Sequence, residues 1–259
     1  MLYFKFLKMH FKKLSQYRLS FFLSLLSQSI FSLSALATLY LLFDRFNIVD
    51  GWTFDQVAVS YSVVYFCFSF SECFFRGFDV FAGKVKSGGL DSFFIRPRSI
   101  IHQTLCSEIE FSKVGRLVVA LAVLIYACCI QPFTWGIDKI FVLVMMILCG
   151  IVIFLSLFMF GAAFSIFTID GIEVVNIFTD GGRELCQYPL NIYPKALTRI
   201  FTYIIPFGCF NYLPMQYIFD LPGVTFWGNA LAPLYGMAII IPAYLIFKFA
   251  LRKYNSTGT

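Results

Sequence analysis

The sequence contains few residues whose type and spacing could carry out chemistry. Its only histidines are His10 and His102, and its eight cysteines show neither a CxxC pair nor a Cys/His spacing. The patterns GxxxxGK followed by Ser or Thr, HExxH and GxSxG do not occur. These patterns hold nucleotide phosphates, a catalytic zinc ion or a nucleophilic serine. The sequence therefore predicts no catalytic residue, no cofactor-binding residue and no metal site in this chain.

One acid interrupts an otherwise apolar run. Glu72 lies near the end of residues 54–75. Ionisable side chains within a membrane span are costly, and they often belong to a transport path. Glu72 also precedes Arg76 by four residues, which is a favourable spacing for an ion pair on one helix. The sequence leaves both interpretations open: an ion pair at the membrane edge, or a residue of a transport path.

Two prolines interrupt a later apolar run. Pro206 and Pro214 lie within it, with Asn211 and Tyr212 between them. Proline removes a backbone donor and clashes with the preceding turn, so that a helix kinks or ends there. Broken helices at membrane depth are tolerated only against protein or a water-filled cavity. The sequence predicts short outer helices over 206–228; a single kinked helix followed by an outer loop is the alternative.

The longest polar stretch, residues 76–113, contains a compact element. Gly88-Gly89 breaks a short amphipathic stretch, and Pro97 ends any helix. Between them lie apolar and charged side chains: Leu90, Asp91, Phe93, Phe94 and Arg96. Aromatic bulk surrounded by charge suits docking to a soluble partner. The alternative is a loop that rests on the lipid surface.

Long runs without charge indicate which elements position these residues. The 259 residues are 59% hydrophobic and only 13% charged. Several runs of about 20 residues contain no Asp, Glu, Lys or Arg, which is enough for a helix to cross the hydrocarbon core. A membrane barrel would instead alternate apolar and polar residues. The sequence predicts an all-α membrane protein that forms a single transmembrane domain over 1–259. Its six predicted spans are about 19–43, 54–75, 114–131, 139–168, 198–214 and 229–248.

The placement of Lys and Arg predicts the orientation. With six spans, all of the 20 Lys and Arg residues except Arg45 and Lys139 fall on the side of the two chain ends. Positive residues concentrate in cytoplasmic loops, so both termini are predicted to be cytoplasmic in a cell (plasma or inner) membrane. Residues 76–113 and 169–197 form the two longer cytosolic segments. Anionic lipid of the inner leaflet accounts for the net charge of +6. No nucleic-acid partner is expected, because the basic residues are scattered over four segments.

The first 18 residues precede the first span. Phe4, Leu7, Phe11 and Leu14 recur at helical spacing, and lysines occupy a neighbouring stripe. This pattern predicts an amphipathic helix over 1–18 that lies along the inner leaflet. The alternative is a basic flank to the first span.

The chain resembles the membrane subunits of ABC-2 type transporters, specifically a branch of six-span permeases of about 260 residues. Residues 88–97, GGLDSFFIRP, are similar to the pattern G-x-L-D-x-x-L-x-R-P that follows the second span in that branch. Residues 188–194, YPLNIYP, and the later Pro206 and NYLP at 211–214 are similar as well. Arg98 departs from the pattern, because the branch has an apolar residue there.

The resemblance implies a permease subunit of an ABC exporter with a type V exporter-like architecture. Two permease chains, identical or different, would pair to form the path, and a separate ATPase dimer would use ATP and Mg. Residues 1–18 would form an elbow helix, and 76–113 would contain the coupling helix. The implied ATPase-coupling residues are Lys84, Lys86, Gly88, Gly89, Leu90, Asp91, Phe94, Arg96 and Pro97. The candidate transport-path or gating residues are Glu72, Pro206, Asn211, Tyr212 and Pro214.

Two other functions remain open from the sequence. A stand-alone channel or secondary carrier would conduct its substrate without an ATPase. A membrane scaffold would anchor a cytosolic complex without transporting anything.

Overall fold

The computed structural model describes residues 6–12, 17–49, 51–131, 135–168 and 172–255, without the side chains of 172–174. Of the predicted elbow helix, residues 6–12 are helical, and residues 1–5 and 13–16 lie outside the described part. The helices that follow are α1 Arg18–Phe46, α2 Phe54–Phe74, α3 Arg76–Asp79, α4 Phe81–Lys86, α5 Asp91–Ile95, α6 Ile100–Ser107, α7 Val114–Ile130, α8 Ile137–Phe167, α9 Ile172–Cys186, α10 Lys195–Arg199, α11 Leu213–Ile218, α12 Ala232–Gly236 and α13 Ile240–Lys253.

Five helices of the described part are long and apolar enough to cross a membrane. They are Arg18–Phe46, Phe54–Phe74, Phe111–Ile130, Ile137–Phe167 and Phe226–Lys253. The third includes a 3₁₀ turn before α7, and the fifth joins a π-helical turn, α12, a 3₁₀ turn and α13 into one apolar rod. The chain is therefore a mostly helical, multi-pass membrane protein.

The predicted span over 198–214 is not one continuous helix. Helix α10 runs into a π-helical turn, Ile200–Ile204, and the chain becomes extended at Ile205 just before Pro206. A second π-helical turn, Gly208–Tyr212, then leads directly into α11. Pro206 accompanies the break, because a proline nitrogen has no hydrogen to donate to the preceding turn.

Helix α2 lies at the centre of the molecule. Of its most apolar 18 residues, 83% are buried, and its main neighbours are α7, α8 and α9. At the end of the molecule away from the short helices α3 to α6, called the outer end below and opposite the inner end, Lys139 Nζ and Asp220 Oδ2 form a salt bridge of 2.5 Å. A two-residue hairpin, β1 Ile48–Val49 with β2 Trp52–Thr53, joins α1 to α2. A capping box between Thr53 and Gln56 then starts α2.

Four short helices, α3 to α6, join α2 to α7 where the sequence predicts a coupling segment. Helices α3 and α4 pack against the inner half of α8, and α5 packs against α6. Gly88 has a positive φ of 68°, so the turn between α4 and α5 uses a conformation that favours glycine.

Candidate functional site: a polar track along α2 and the surface of α4 and α5

Glu72 is a buried acid that contacts three cations at the inner end of α2. Only 6% of the residue is exposed. Its carboxylate forms an ion pair with Arg116 of α7, and Lys113 Nζ lies 3.3 Å from Glu72 Oε1. The predicted pair with Arg76 is present at 3.8 Å, so it is the longest of the three contacts. A buried carboxylate requires this compensation, because water no longer solvates its charge.

Arg76 extends the charge network toward the cytosolic segment. Its guanidinium forms an ion pair with Asp79, and its Nε lies 2.9 Å from Glu110 Oε2. Burial raises the pKa of the Asp79 carboxyl to about 6, although Arg76 opposes the shift. Asp79 therefore titrates close to physiological pH.

A second buried arginine comes from a segment that the sequence analysis assigns to the cytosolic side. Arg183 of α9 is 6% exposed, and its guanidinium lies 4.8 Å from the ring centroid of Phe68 and 5.3 Å from that of Tyr65. Arg116 approaches the same Phe68 ring at 5.6 Å. The two guanidinium groups are thus stabilised by the aromatic faces of α2.

The last turn of α9 continues the polar contacts toward the middle of α2. Glu184 Oε1 accepts hydrogen bonds from Arg183 Nη2 at 2.5 Å and from the Tyr65 hydroxyl at 3.3 Å. Gln187 Nε2 donates to Glu184 Oε2 at 2.9 Å. Tyr65 lies at the midpoint of α2. The end of α9, which belongs to the predicted cytosolic segment 169–197, therefore lies beside the middle of α2.

Asn211 continues these contacts toward the outer half of α2. Its Nδ2 donates to Ser60 Oγ at 2.6 Å and to the Cys186 carbonyl at 2.7 Å, and its residue exposure is only 3%. The amide therefore ties the broken segment after Pro206 to both α2 and the end of α9. Its Oδ1 is buried without a hydrogen-bond partner.

Together these groups form a polar track along one side of α2. From the inner to the outer half, its members are Asp79, Arg76, Glu72, Lys113, Arg116, Arg183, Glu184, Tyr65, Gln187, Asn211 and Ser60. A cavity of about 500 Å³ opens at the inner end, where Phe68 and Phe158 face Glu72, Asp79 and Asp180. Of the predicted path residues, the track contains Glu72 and Asn211.

The other predicted path residues have different roles. Pro206 marks the break, and Pro214 occupies the first turn of α11, where a missing amide hydrogen is tolerated. Tyr212 is not on the track, because its ring lies against Trp52 at 6.4 Å. The sequence analysis missed Arg116, Arg183 and Glu184. The signal was the polar stripe of α9, since residues 176, 180, 183, 184 and 187 share one helical face.

The surface formed by α4, α5 and the turn between them divides the predicted coupling residues into buried and exposed groups. Leu90 is fully buried, so it anchors the turn and cannot itself contact a partner. Lys84 also points inward: its Nζ lies 2.5 Å from Ser107 Oγ and 4.0 Å from Glu108 Oε1. Burial lowers the pKa of the Lys84 amine, and Glu108 opposes this shift. In this structure Leu90 and Lys84 thus contact the chain itself, and their predicted role in coupling stays a prediction.

The exposed residues form an apolar and cationic tip, residues 94–97. Phe94 is 48% exposed and Ile95 is 84% exposed, and Arg96 and Pro97 are exposed beside them. Ile95 is not among the coupling residues that the sequence analysis names. Lys86 and Gly89 lie on the same surface, Asp91 is half-buried at the start of α5, and Gly88 supplies the turn. Phe94 stacks on Tyr254, with ring centroids 5.7 Å apart.

A comparison with protein families identifies the family of the chain. The model for ABC-2 family transporter proteins matches residues 29–258, which is most of the chain. The chain belongs to the ABC-2 transporter family. Neither the curated proteins nor the solved structures gave a significant match. The five apolar helices of this ABC-2 family member and its family assignment agree on a multi-pass membrane protein of the permease type.

Proposed function

We propose that this ABC-2 family member is the permease subunit of an ABC exporter. It works with a second permease chain and with a separate ATPase dimer that uses ATP and Mg. The observation that carries the proposal is the connection between the exposed tip and the polar track. A force applied at the tip reaches Glu72 through side chains that are paired with one another and buried or partly buried.

The connection begins at α5. Phe93, directly before the tip, is buried, and its carbonyl accepts a hydrogen bond of 2.9 Å from Gln103 Nε2 of α6. Lys84 ties α4 to the end of α6, and its amine lies 5.6 Å from the Phe93 ring. These contacts make α4, α5 and α6 one rigid element.

The second half of the connection runs from α6 to α2. The Glu110 amide donates to the Cys73 carbonyl at 3.0 Å, and Arg76 bridges Glu110 and Glu72. Gly77 packs so closely on α6 that an added Cβ would lie 1.8 Å from the Thr104 carbonyl oxygen. Displacement of the rigid element therefore moves the inner end of α2, where the polar track begins.

Six crossings with both termini in the cytoplasm are consistent with these contacts. The segment from α10 to α11 supplies the sixth crossing as a broken helix, supported by Asn211 and by Lys139–Asp220 at the outer end. Residues 6–12 belong to an elbow helix at the inner leaflet. The α4–α6 element contains the coupling helix of a type V exporter-like architecture.

A second permease chain has exposed apolar surface to cover. On α9, Ile177 is 66% exposed and Phe178 is 37% exposed, and on the broken segment Tyr203 is 82% exposed. The carboxylate of Glu184, near the end of α9, is half-exposed as well. A partner permease placed here encloses the polar track between two subunits.

The test is co-purification of an ATPase with the tagged chain from native membranes. Ile95→Asp places a charge in the apolar tip, and the recovered ATPase should fall at least tenfold. Ile48→Asp is the matched control, because Ile48 is 60% exposed at the opposite end of the helices. Full recovery of the ATPase with Ile95→Asp would show that the tip does not bind the ATPase. Substrate flux through the purified chain alone would instead establish a channel or secondary carrier.

A further inference from the structure

A small cavity lies on the cytosolic side, away from the polar track. Its volume is about 310 Å³, at the lower end of the range for ligand pockets. Its walls are mainly apolar and come from the N-terminal helical segment, α5 and α6, through Phe6, Phe93, Pro97 and Cys106. Such a cavity is large enough for part of a hydrocarbon chain.

The mouth of this cavity is positively charged. Arg96, Arg98 and His102 line it. Both arginines are exposed, and neither has a carboxylate within ion-pair distance in the described ranges. Arg98 is the residue that departs from the family pattern, where an apolar residue is expected. Two unpaired guanidinium groups at an apolar opening attract an amphiphile with an anionic head.

The position of the cavity identifies the source of that amphiphile. The N-terminal helical segment packs on the chain through Phe11, whose ring contacts Phe111 edge to face at 5.9 Å. Phe111 lies three residues before α7 begins. The cavity wall is therefore attached to the inner end of a membrane helix, at the level where phospholipid head groups lie.

We infer that this cavity binds an anionic phospholipid of the inner leaflet. One acyl chain enters between Phe6 and Phe93, and the phosphate pairs with Arg98 and Arg96. Arg98 is not part of the proposed ATPase-docking tip, so it can be tested separately. Arg96 and Pro97 belong both to the cavity and to the tip, so Arg98 is the residue that separates the lipid site from the coupling assignment.

The bound lipid would also connect two parts of the chain. It contacts the N-terminal helical segment on one side and the α5–α6 corner on the other. The same corner is held by Gln103, whose Nε2 donates to the carbonyls of Phe93 and Arg98 at 2.9 Å. The lipid therefore fills a gap between the elbow and the element that moves with the tip.

The experiment uses native mass spectrometry on the full purified chain. The chain is mixed with phosphatidylglycerol and phosphatidylcholine in micelles of defined composition. The wild type should retain phosphatidylglycerol over phosphatidylcholine, and Arg98→Ala should reduce that preference at least fivefold. Arg252→Ala, which removes an exposed cation from the end of α13, is the matched control and should leave the preference unchanged.

Two further measurements separate this site from weaker explanations. Cys106→Phe keeps every charge but fills the cavity, so it should also abolish the preference. If that variant does not fold, glycerol phosphate replaces it as the probe and should fail to displace phosphatidylglycerol from the wild type. Equal losses with Arg98→Ala and Arg252→Ala would indicate a diffuse basic surface and overturn the site. Displacement by glycerol phosphate would indicate a simple anion site and overturn it as well.

Discussion

Helices α1 and α2 are both apolar enough to cross a membrane, yet they occupy opposite environments. Within the most apolar 18 residues of each helix, 6% are buried in α1 and 83% are buried in α2. Helix α1 contacts mainly α7, whereas α2 is surrounded by α7, α8 and α9. Two helices of similar hydropathy therefore differ in position: α1 lies at the periphery of the molecule and α2 lies at its centre.

The polar side chains of the two helices explain the difference. In α1, the hydroxyls of Ser24, Ser29 and Thr38 each bond the backbone carbonyl four residues earlier, so they need no neighbour. In α2, Tyr65 and Glu72 cannot reach their own backbone in this way, and their polar atoms bond to α9 and α7. A membrane helix with such side chains must be enclosed by others, because an unpaired polar group in lipid is costly.

Removing the acid at the inner end of α2 is the strongest test of this comparison. Glu72→Ala leaves Arg116 buried at 3% exposure without its main partner. Breaking a buried ion pair in this way costs about 3–5 kcal/mol. A large fall in thermal stability in detergent is expected. Gln28→Ala, a polar deletion on α1, should change the stability by less than about 0.5 kcal/mol.

The double variant Glu72→Ala/Arg116→Ala sharpens the first prediction. It removes the uncompensated charge as well, so it should be less damaging than the sum of the two single changes. The buried charges would not account for the central position of α2 if the double variant lost as much stability as the two single variants together. The same would follow if Gln28→Ala lost as much stability as Glu72→Ala.

The comparison also shows what the sequence could and could not predict. Charge-free runs predicted the apolar helices, because crossing a membrane depends on length and composition alone. The break at Pro206 was predictable from the missing amide hydrogen. The insertion of α9 was not, because Arg183 and Glu184 are costly in lipid until Tyr65 and Phe68 surround them. The sequence shows that a charged side chain would be unfavourable in lipid. Only the packed structure shows which side chains surround and stabilise it.

The coupling segment shows the same limit on a smaller scale. The sequence located a compact apolar and charged element after α2, and the structure places four short helices there. It did not separate Leu90, which is buried, from Ile95, which is exposed. In helices of only five residues, the chain direction after Gly88 decides which side chains point outward, and residue type does not.

A smaller effect on stability is expected at Asp79, the last residue of α3, which follows α2. Its pKa of about 6 in the folded protein lies above that of an unfolded aspartate. The folded state therefore holds more protons between about pH 4 and 6, and the contribution of Asp79 to stability falls as the pH rises through this window. Asp79→Asn should remove this slope, so the stability difference between wild type and variant should change across pH 4–6.

Thermal unfolding of both proteins at matched ionic strength measures this difference. Asp44→Asn is the control, because Asp44 is an exposed acid at the other end of α1. A difference between wild type and Asp79→Asn that is constant over the whole pH range would show that the pKa of Asp79 is the same in the folded and unfolded states. Arg76 would then fully offset the effect of burial on this carboxyl.

The smallest expected effect concerns the contact between the two helices themselves. The Tyr61 hydroxyl of α2 donates to the Ser32 carbonyl of α1 at 2.6 Å. Tyr61→Phe removes this bond and the contact of 3.2 Å between the Tyr61 hydroxyl and Ser32 Oγ. The Ser32 carbonyl keeps its bond within its own helix, whereas the buried Ser32 hydroxyl loses this partner. The expected loss is about 0.5–1.5 kcal/mol, measured by thermal unfolding in detergent. Tyr40→Phe, at an exposed position of α1, should have no measurable effect.

The size of the Tyr61 effect decides how α1 is held. Gly115 of α7 approaches α1 so closely that an added Cβ would lie 2.4 Å from the Leu25 carbonyl oxygen. If Tyr61→Phe is neutral, this backbone approach alone fixes α1, and α1 is a lipid-facing helix attached at one point. If Tyr61→Phe costs as much as Glu72→Ala, α1 belongs to the core despite its exposure, and the contrast between the two helices fails.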